Sequence, residues 1–204
     1  MKPIILVLIY LFTGAYAQDV EKIIEKTLTH YKNMESFYAE FDQRQCDVVS
    51  GTCNEYTGTI YFVKPNFFRM EMKDPETIYV GDSVSLWIYM PAQNHAIRQN
   101  LGEVPFHINP DMFLHNYQER FNAELSHESE VKYEISLIPK EATDIYDHIT
   151  ISIAKADYQI IAITICDQAG SENSFVFNKI VVNKKISKKK FEFKPPKGTT
   201  IDEY

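Results

Sequence analysis

The chain has 204 residues, 45% of them apolar, with 21 basic against 28 acidic side chains and a formal net charge of −7. That balance argues against nucleic acid as the main partner. A chain of this length can bury a substantial core without disulfides or metals to support it.

Lys2, the apolar residues 4–12 and the run Ala15-Tyr16-Ala17 before Gln18 have the layout of a cleavable secretory signal. Residues 1–17 are therefore expected to be removed and residues 18–204 to form a single domain. The apolar stretch is too short to cross a bilayer. Position 18 is Gln rather than Cys, so the expected cleavage point offers no acceptor for a lipid anchor, and the mature protein is expected to be soluble. Along residues 19–35, Val20, Ile23, Ile24, Leu28, Tyr31 and Met34 fall at helical spacing, with Asp19 as the expected N-cap and Glu21 in the first turn. The period then changes to two: Phe37, Ala39 and Phe41 alternate with Tyr38, Glu40 and Asp42, as in a half-buried strand.

Cys46 and Cys53 flank a turn-prone stretch between two strand-like runs, so a disulfide across a hairpin is expected. Cys166 remains as a buried free thiol. Strand-like runs follow at about 54–64, 67–73, 76–81, 84–90 and 94–100, with connections too short for parallel crossovers. Asn109-Pro110-Asp111 predicts a second helix whose apolar face holds Phe113, Tyr117 and Phe121. Further runs at about 130–139, 147–156, 158–167, 173–183 and 190–194 bring the total to about eleven strands. The predicted fold is mainly β with helices: an incomplete, strongly curved antiparallel barrel with its concave face covered by the helices.

Signatures of catalysis are missing. The six histidines form no HxH or HExxH pair, no Cys stands at metal-ligand spacing to a His, and there is no GxSxG, GxxxxGK[ST] or GxGxxG. Asp144, Asp147 and His148 read as turn residues before a strand. The sequence thus predicts no enzyme, no metal and no cofactor. The lysines at 184, 185, 188, 189, 190, 194 and 197 fit two readings, a solvated edge-protecting face or a docking patch for an acidic partner or anionic headgroups.

Large, soft apolar side chains sit on alternating strands. Phe68, Met70 and Met72 share one face, and Arg69, Glu71 and Lys73 share the other. In residues 86–90 both faces are apolar, and parity does not choose which faces inward. Ordinary core packing and a cavity for a flexible apolar ligand both fit these residues.

Nearly end to end, the mature chain resembles the outer-membrane lipoprotein carrier family, LolA. The resemblance rests on Ser36-Phe37 with Ala39, Phe41 and Gln43; Gly58; Lys64-Pro65-Asn66 with Phe68; Asp82 with Leu86-Trp87, Tyr89 and Pro91; and Phe191, Phe193, Pro195-Pro196 and Gly198 as a closing strand. It implies an eleven-stranded incomplete barrel lidded by helices, with a cavity for lipoprotein acyl chains. It also implies a monomeric periplasmic carrier with three partners: acylated lipoproteins, an inner-membrane lipoprotein-releasing ABC transporter and an outer-membrane acceptor lipoprotein. On this basis Phe68, Met70, Met72, Trp87 and Tyr89 are expected to bind acyl chains, with Phe113 and Tyr117 on a covering helix. Phe68→Glu is then expected to impair cargo handling and leave secondary structure intact. Where the family often has Arg in a lid-gating role, this chain has Lys64, which lacks the planar fork of guanidinium. The family's Asp-Gly turn is Asp82-Ser83 here, and the Cys46–Cys53 pair is an addition. The alternative is an extracytoplasmic lipid- or lipoprotein-sensing regulator, or a general lipid-binding module, on the same fold.

Overall fold

The structure, a computed structural model, describes residues 13–101, 111–141 and 145–204, with the side chains of the first helix from Val20 onward. Residues 1–12 of the expected signal, the helix-opening residues Asn109 and Pro110, and Asp144 lie outside the described residues.

Helix α1 spans Thr13–Lys32. Strands β1 (Ser36–Asp47), β2 (Thr52–Val63), β3 (Phe67–Lys73), β4 (Thr77–Asp82), β5 (Ser85–Met90) and β6 (His95–Asn100) form a meander. The short helix α2 (Tyr117–Arg120) leads into β7 (Phe121–Glu128), β8 (Lys132–Pro139), β9 (Tyr146–Ala154), β10 (Ile160–Asp167) and β11 (Glu172–Val182), and β12 (Thr200–Glu203) ends the chain. The twelve strands among the described residues join one curved, unclosed sheet in the order β12-β6-β5-β4-β3-β2-β1-β11-β10-β9-β8-β7. Every pairing is antiparallel except that of β12 with β6.

Several elements differ from the sequence-based expectation. Helix α1 begins at Thr13, so Asp19 and Glu21, expected as its N-cap and first turn, lie within it, and β12 is a strand beyond the expected eleven. The predicted second helix shrinks to four residues, because Asn116 takes a left-handed backbone (φ 51°) and Phe121 already begins a strand. Phe121, expected on the apolar face of that helix, instead opens β7, where it alternates with Ala123 and Leu125. Residues 190–194 form no strand: Lys188–Phe191 is a 3-10 turn, and an extended segment crosses the outer face of the sheet before β12.

That crossing segment is held by contacts on its own side of the sheet. Phe191 is buried and meets Phe67 at 5.8 Å between ring centroids, while Phe193 lies 5.4 Å from both Trp87 and Tyr89. Val80 and Ala96 are fully buried beside them. The lysine ammoniums of Lys184, Lys188 and Lys190 lie over Tyr38, Phe67 and Tyr61. Three of the seven lysines of the run therefore lie over aromatic rings, an interaction worth about 0.5 to 1 kcal/mol per exposed pair.

The inner face carries the main core. Val20, Ile23, Ile24 and Tyr31 of α1, with Met34 just beyond its end, cluster with Phe121, Ile135, Leu137, Ile149, Ile151, Ile153 and Ile160. The helix thus covers the end of the sheet where β10 begins. The Tyr31 hydroxyl accepts a hydrogen bond from the Ile160 N–H at 3.0 Å, tying α1 to β10. Burial pushes the Tyr31 hydroxyl pKa far up, so it stays protonated. Tyr31→Phe leaves the Ile160 N–H without that acceptor and is expected to cost about 1 to 2 kcal/mol, read as a lower urea midpoint.

At the opposite end, Cys46 and Cys53 are disulfide-bonded across the β1–β2 hairpin, directly opposite one another with Cα atoms 4.1 Å apart. Asp47 holds the turn by accepting the Ser50 N–H at 2.6 Å. The double change Cys46→Ser with Cys53→Ser is expected to lower stability by about 2 to 3 kcal/mol in the chain-entropy account. Equilibrium denaturation with and without reductant checks it: only the disulfide-bearing protein should respond to reductant.

Candidate functional site

Where α1 does not reach, the inner face is hollow. A cavity of about 480 Å³, open on one side, is lined by Phe41, Gln43 and Gln45 of β1, Tyr56 and Ile60 of β2, and Met70 and Met72 of β3. Thr77 and Tyr79 of β4, Ile163 and Ile165 of β10, and Asn173, Phe175 and Phe177 of β11 complete the sheet wall, with Pro75 and Tyr146 at its edge. Met112 and Phe113 contribute from the segment before α2, and among the described residues none of α1 lines the cavity. The volume falls within the roughly 300–1,000 Å³ of sites that enclose small ligands, which are also mostly apolar.

Register explains why these side chains converge. Phe41 pairs with Phe177 and Gly58, Ile60 with Met70, and Met70 with Tyr79, so residues two apart on six neighbouring strands point to one side. Gly58 belongs to this row, and its missing side chain leaves room for the Phe41 ring: a Cβ there would stand 2.5 Å from Phe41 Cζ and would also strike the Glu71 carbonyl. Aromatic pairs brace the wall, Phe41 with Phe175 at 5.9 Å and Phe37 with Phe177 at 6.1 Å. Phe113 meets Tyr146 edge-on at 5.9 Å, closing one margin.

Of the residues expected from sequence, Met70, Met72 and Phe113 line this hollow. Phe68 shares their face but sits one step toward the filled end, 4% exposed, with its ring against Gly81. Trp87 and Tyr89 lie on the other face, against Phe193, while Leu86 and Ile88 take the inner positions of β5. The reason is register: Gly81 and Tyr79 of the inner face pair with Leu86 and Ile88. Tyr117 lines a separate groove of about 650 Å³ between α1 and residues 111–118.

Lys64 also borders that groove. Its ammonium donates to the Lys32 carbonyl at 2.6 Å and lies 3.9 Å from Glu35, joining the end of β2 to the end of α1. Asp111, buried in the same groove, bonds His115 at 2.8 Å; burial raises its carboxyl pKa and the nearby imidazole partly offsets the rise.

Sequence reasoning passed over Ile163, Ile165, Phe175 and Phe177, although each pair alternates along its strand. The signal was present, but parity alone does not say which of two apolar faces looks inward. Among the described residues no group of three or more His, Cys, Asp or Glu could hold a metal ion. Asp147 and His148 bond each other at 2.8 Å on the surface.

A family model described as outer membrane lipoprotein carrier protein LolA matches residues 32–194. The outer-membrane lipoprotein carrier protein of Sodalis glossinidius is 28% identical over 194 residues, covering 93% of this chain and 90% of its own. That of Hahella chejuensis is 27% identical over 176 residues, 83% of each chain. Among solved structures, an uncharacterized conserved protein from Thermus thermophilus superposes with a TM-score of 0.62 at 12% identity, over 92% of this chain and all of its own. MucB superposes with a TM-score of 0.51 at 12% identity, over 87% of this chain and 63% of its own. The last two likenesses are of fold alone. Because the family match spans most of the sequence, from the end of α1 to the segment that crosses the outer face, the chain belongs to the outer-membrane lipoprotein carrier family, LolA.

Proposed function

We propose that this protein is a periplasmic carrier that shelters the acyl chains of lipoproteins in the hollow between β4 and β10, and that it acts without catalysis or cofactor. The observation that carries the reading is the hollow itself, a mostly apolar space built from flexible Met and aromatic side chains on a sheet that does not close. Burial contributes about 0.8 kcal/mol per methylene, so a sixteen-carbon chain exposed to water would cost roughly 12 kcal/mol. Free passage of an acylated protein through an aqueous compartment is closed by that cost, and a sheltered passage is not.

Transfer from bilayer to hollow exchanges one apolar medium for another and has little drive of its own. The sequence carries no phosphate-binding loop, so loading is assigned to an ATP-driven transporter in the inner membrane and unloading to an acceptor lipoprotein at the outer membrane. Family membership supports both assignments. Lys64, which joins the sheet to the end of α1, is assigned a part in opening the helical cover. Purification of the protein from a bacterial periplasm followed by mass spectrometry of what co-purifies tests the reading. Acylated lipoproteins are the expected finding; free lipids without lipoproteins would point instead to a lipid-sensing or general lipid-binding module.

A further inference from the structure

The hollow is not uniform along its length. Its inner row, Phe41, Ile60, Met70, Tyr79 and Phe177, is apolar apart from one phenol, but the rows nearer the disulfide hairpin bring in Gln43, Gln45, Tyr56 and Asn173. Gln43 is 8% exposed, and its Nε2 donates to the Asn173 Oδ1 at 2.8 Å while its Oε1 is buried without a partner. An unpaired buried amide oxygen is costly and uncommon, and a ligand group that completes it removes the cost. Asn173 keeps its own amide N–H donors, since its Oδ1 is the atom the Gln43 bond uses. The Gln43 oxygen has almost no accessible surface in the empty protein, so its amide must turn toward the hollow to be reached; the pair then offers an acceptor and a donor, the complement of an amide, with the donor alone sufficing for an ester carbonyl.

Beyond this pair the hollow continues into a depression of about 420 Å³ that shares Gln45, Tyr146, Ile165 and Asn173 and is edged by Asp47, Asp167 and Glu172. Among the described residues no basic side chain lines it. Hydrogen bonds from Ser50 hold the Asp47 carboxyl below its ordinary pKa, so it is ionised at neutral pH. An anionic end group here would meet like charge, and a neutral one would not.

Resting on the carrier reading, we propose that Gln43 and Asn173 bind the neutral amide or ester linkage of an acyl chain, with the chain's methyl end toward Phe41 and Phe177 and its polar end leaving beside the Cys46–Cys53 hairpin. The site then selects linked acyl groups over free fatty carboxylates.

Competition against an apolar fluorophore held in the hollow tests this with two probes, N-dodecanoylglycinamide and dodecanoate, at neutral pH on the full mature chain. The amide is expected to bind the unaltered protein at least tenfold more tightly. Gln43→Leu is expected to lower that preference about tenfold, and Asn173→Leu, at the less buried partner, lowers it without depending on the first variant's folding. Equal affinity for both probes, or a preference unchanged in both variants, would overturn the proposal while leaving the carrier reading standing. If neither probe displaces the fluorophore from the unaltered protein, the carrier reading fails and this inference with it.

Discussion

Phe68→Glu is expected to lower folding stability by at least about 4 kcal/mol, most of the reserve of a domain at the low end of the ordinary range of about 5 to 15 kcal/mol. Phe68 is buried at 4% exposure, and its cross-strand neighbours on the inner face are Phe62 and Gly81, whose side chains provide neither charge nor hydrogen bond. Removing a buried phenyl ring costs about 3 to 5 kcal/mol, and a carboxylate in its place must shed its water or take up a proton. The expectation formed from sequence, lost cargo handling with secondary structure kept, gives way to a folding defect, because Phe68 belongs to the filled end of the trough. Far-UV circular dichroism and urea denaturation decide between them: a native spectrum with an unchanged midpoint would return Phe68 to the ligand-binding end.

Met70→Glu, one step along the same strand, is expected to behave in the opposite way. Met70 is half-buried and borders the open hollow, so a carboxylate there can reach water in the empty protein. The fold is expected to survive with a stability change under about 1.5 kcal/mol. Binding is another matter: an acyl chain that fills the hollow strips water from the new charge, a penalty of several kcal/mol without a cationic partner. Affinity for an acylated probe is expected to fall at least tenfold, while Met70→Leu, which conserves volume, stays within about threefold. Titration with a fluorescent acyl probe reads both.

The two variants differ because one strand serves two environments, and this is the part of the molecule that sequence conveys least. Alternation in β3 separates Phe68, Met70 and Met72 from Arg69, Glu71 and Lys73, but it is silent on where along the strand the covering helix stops. The meander from β1 to β6 was legible because Pro65, Pro75, Gly81-Asp82 and Pro91 punctuate it and the connections are short. At Asp82-Ser83 the turn survives the loss of a glycine: Ser83 adopts φ 76°, and the Asp82 carboxylate accepts the N–H groups of Val84 and Ser85 at 3.0 and 2.7 Å. By contrast β12 has no readable pattern, since all four of its residues are exposed and it exists by pairing with β6. The face that Trp87 and Tyr89 occupy is hidden from the sequence for a related reason. Their strand is apolar on both faces because the chain's own C-terminal segment covers the outer one through Phe193, a long-range contact that periodicity cannot report.

Whether hydrocarbon tails enter the sheet between β4 and β10 is read most directly by site-specific photo-crosslinking to an acylated lipoprotein, comparing a photoreactive side chain at position 72 with one at position 89. Adducts to the lipid at 72 and none at 89 are the predicted result. Lipid adducts at 89 without any at 72 would contradict it and move the cargo to the outer face.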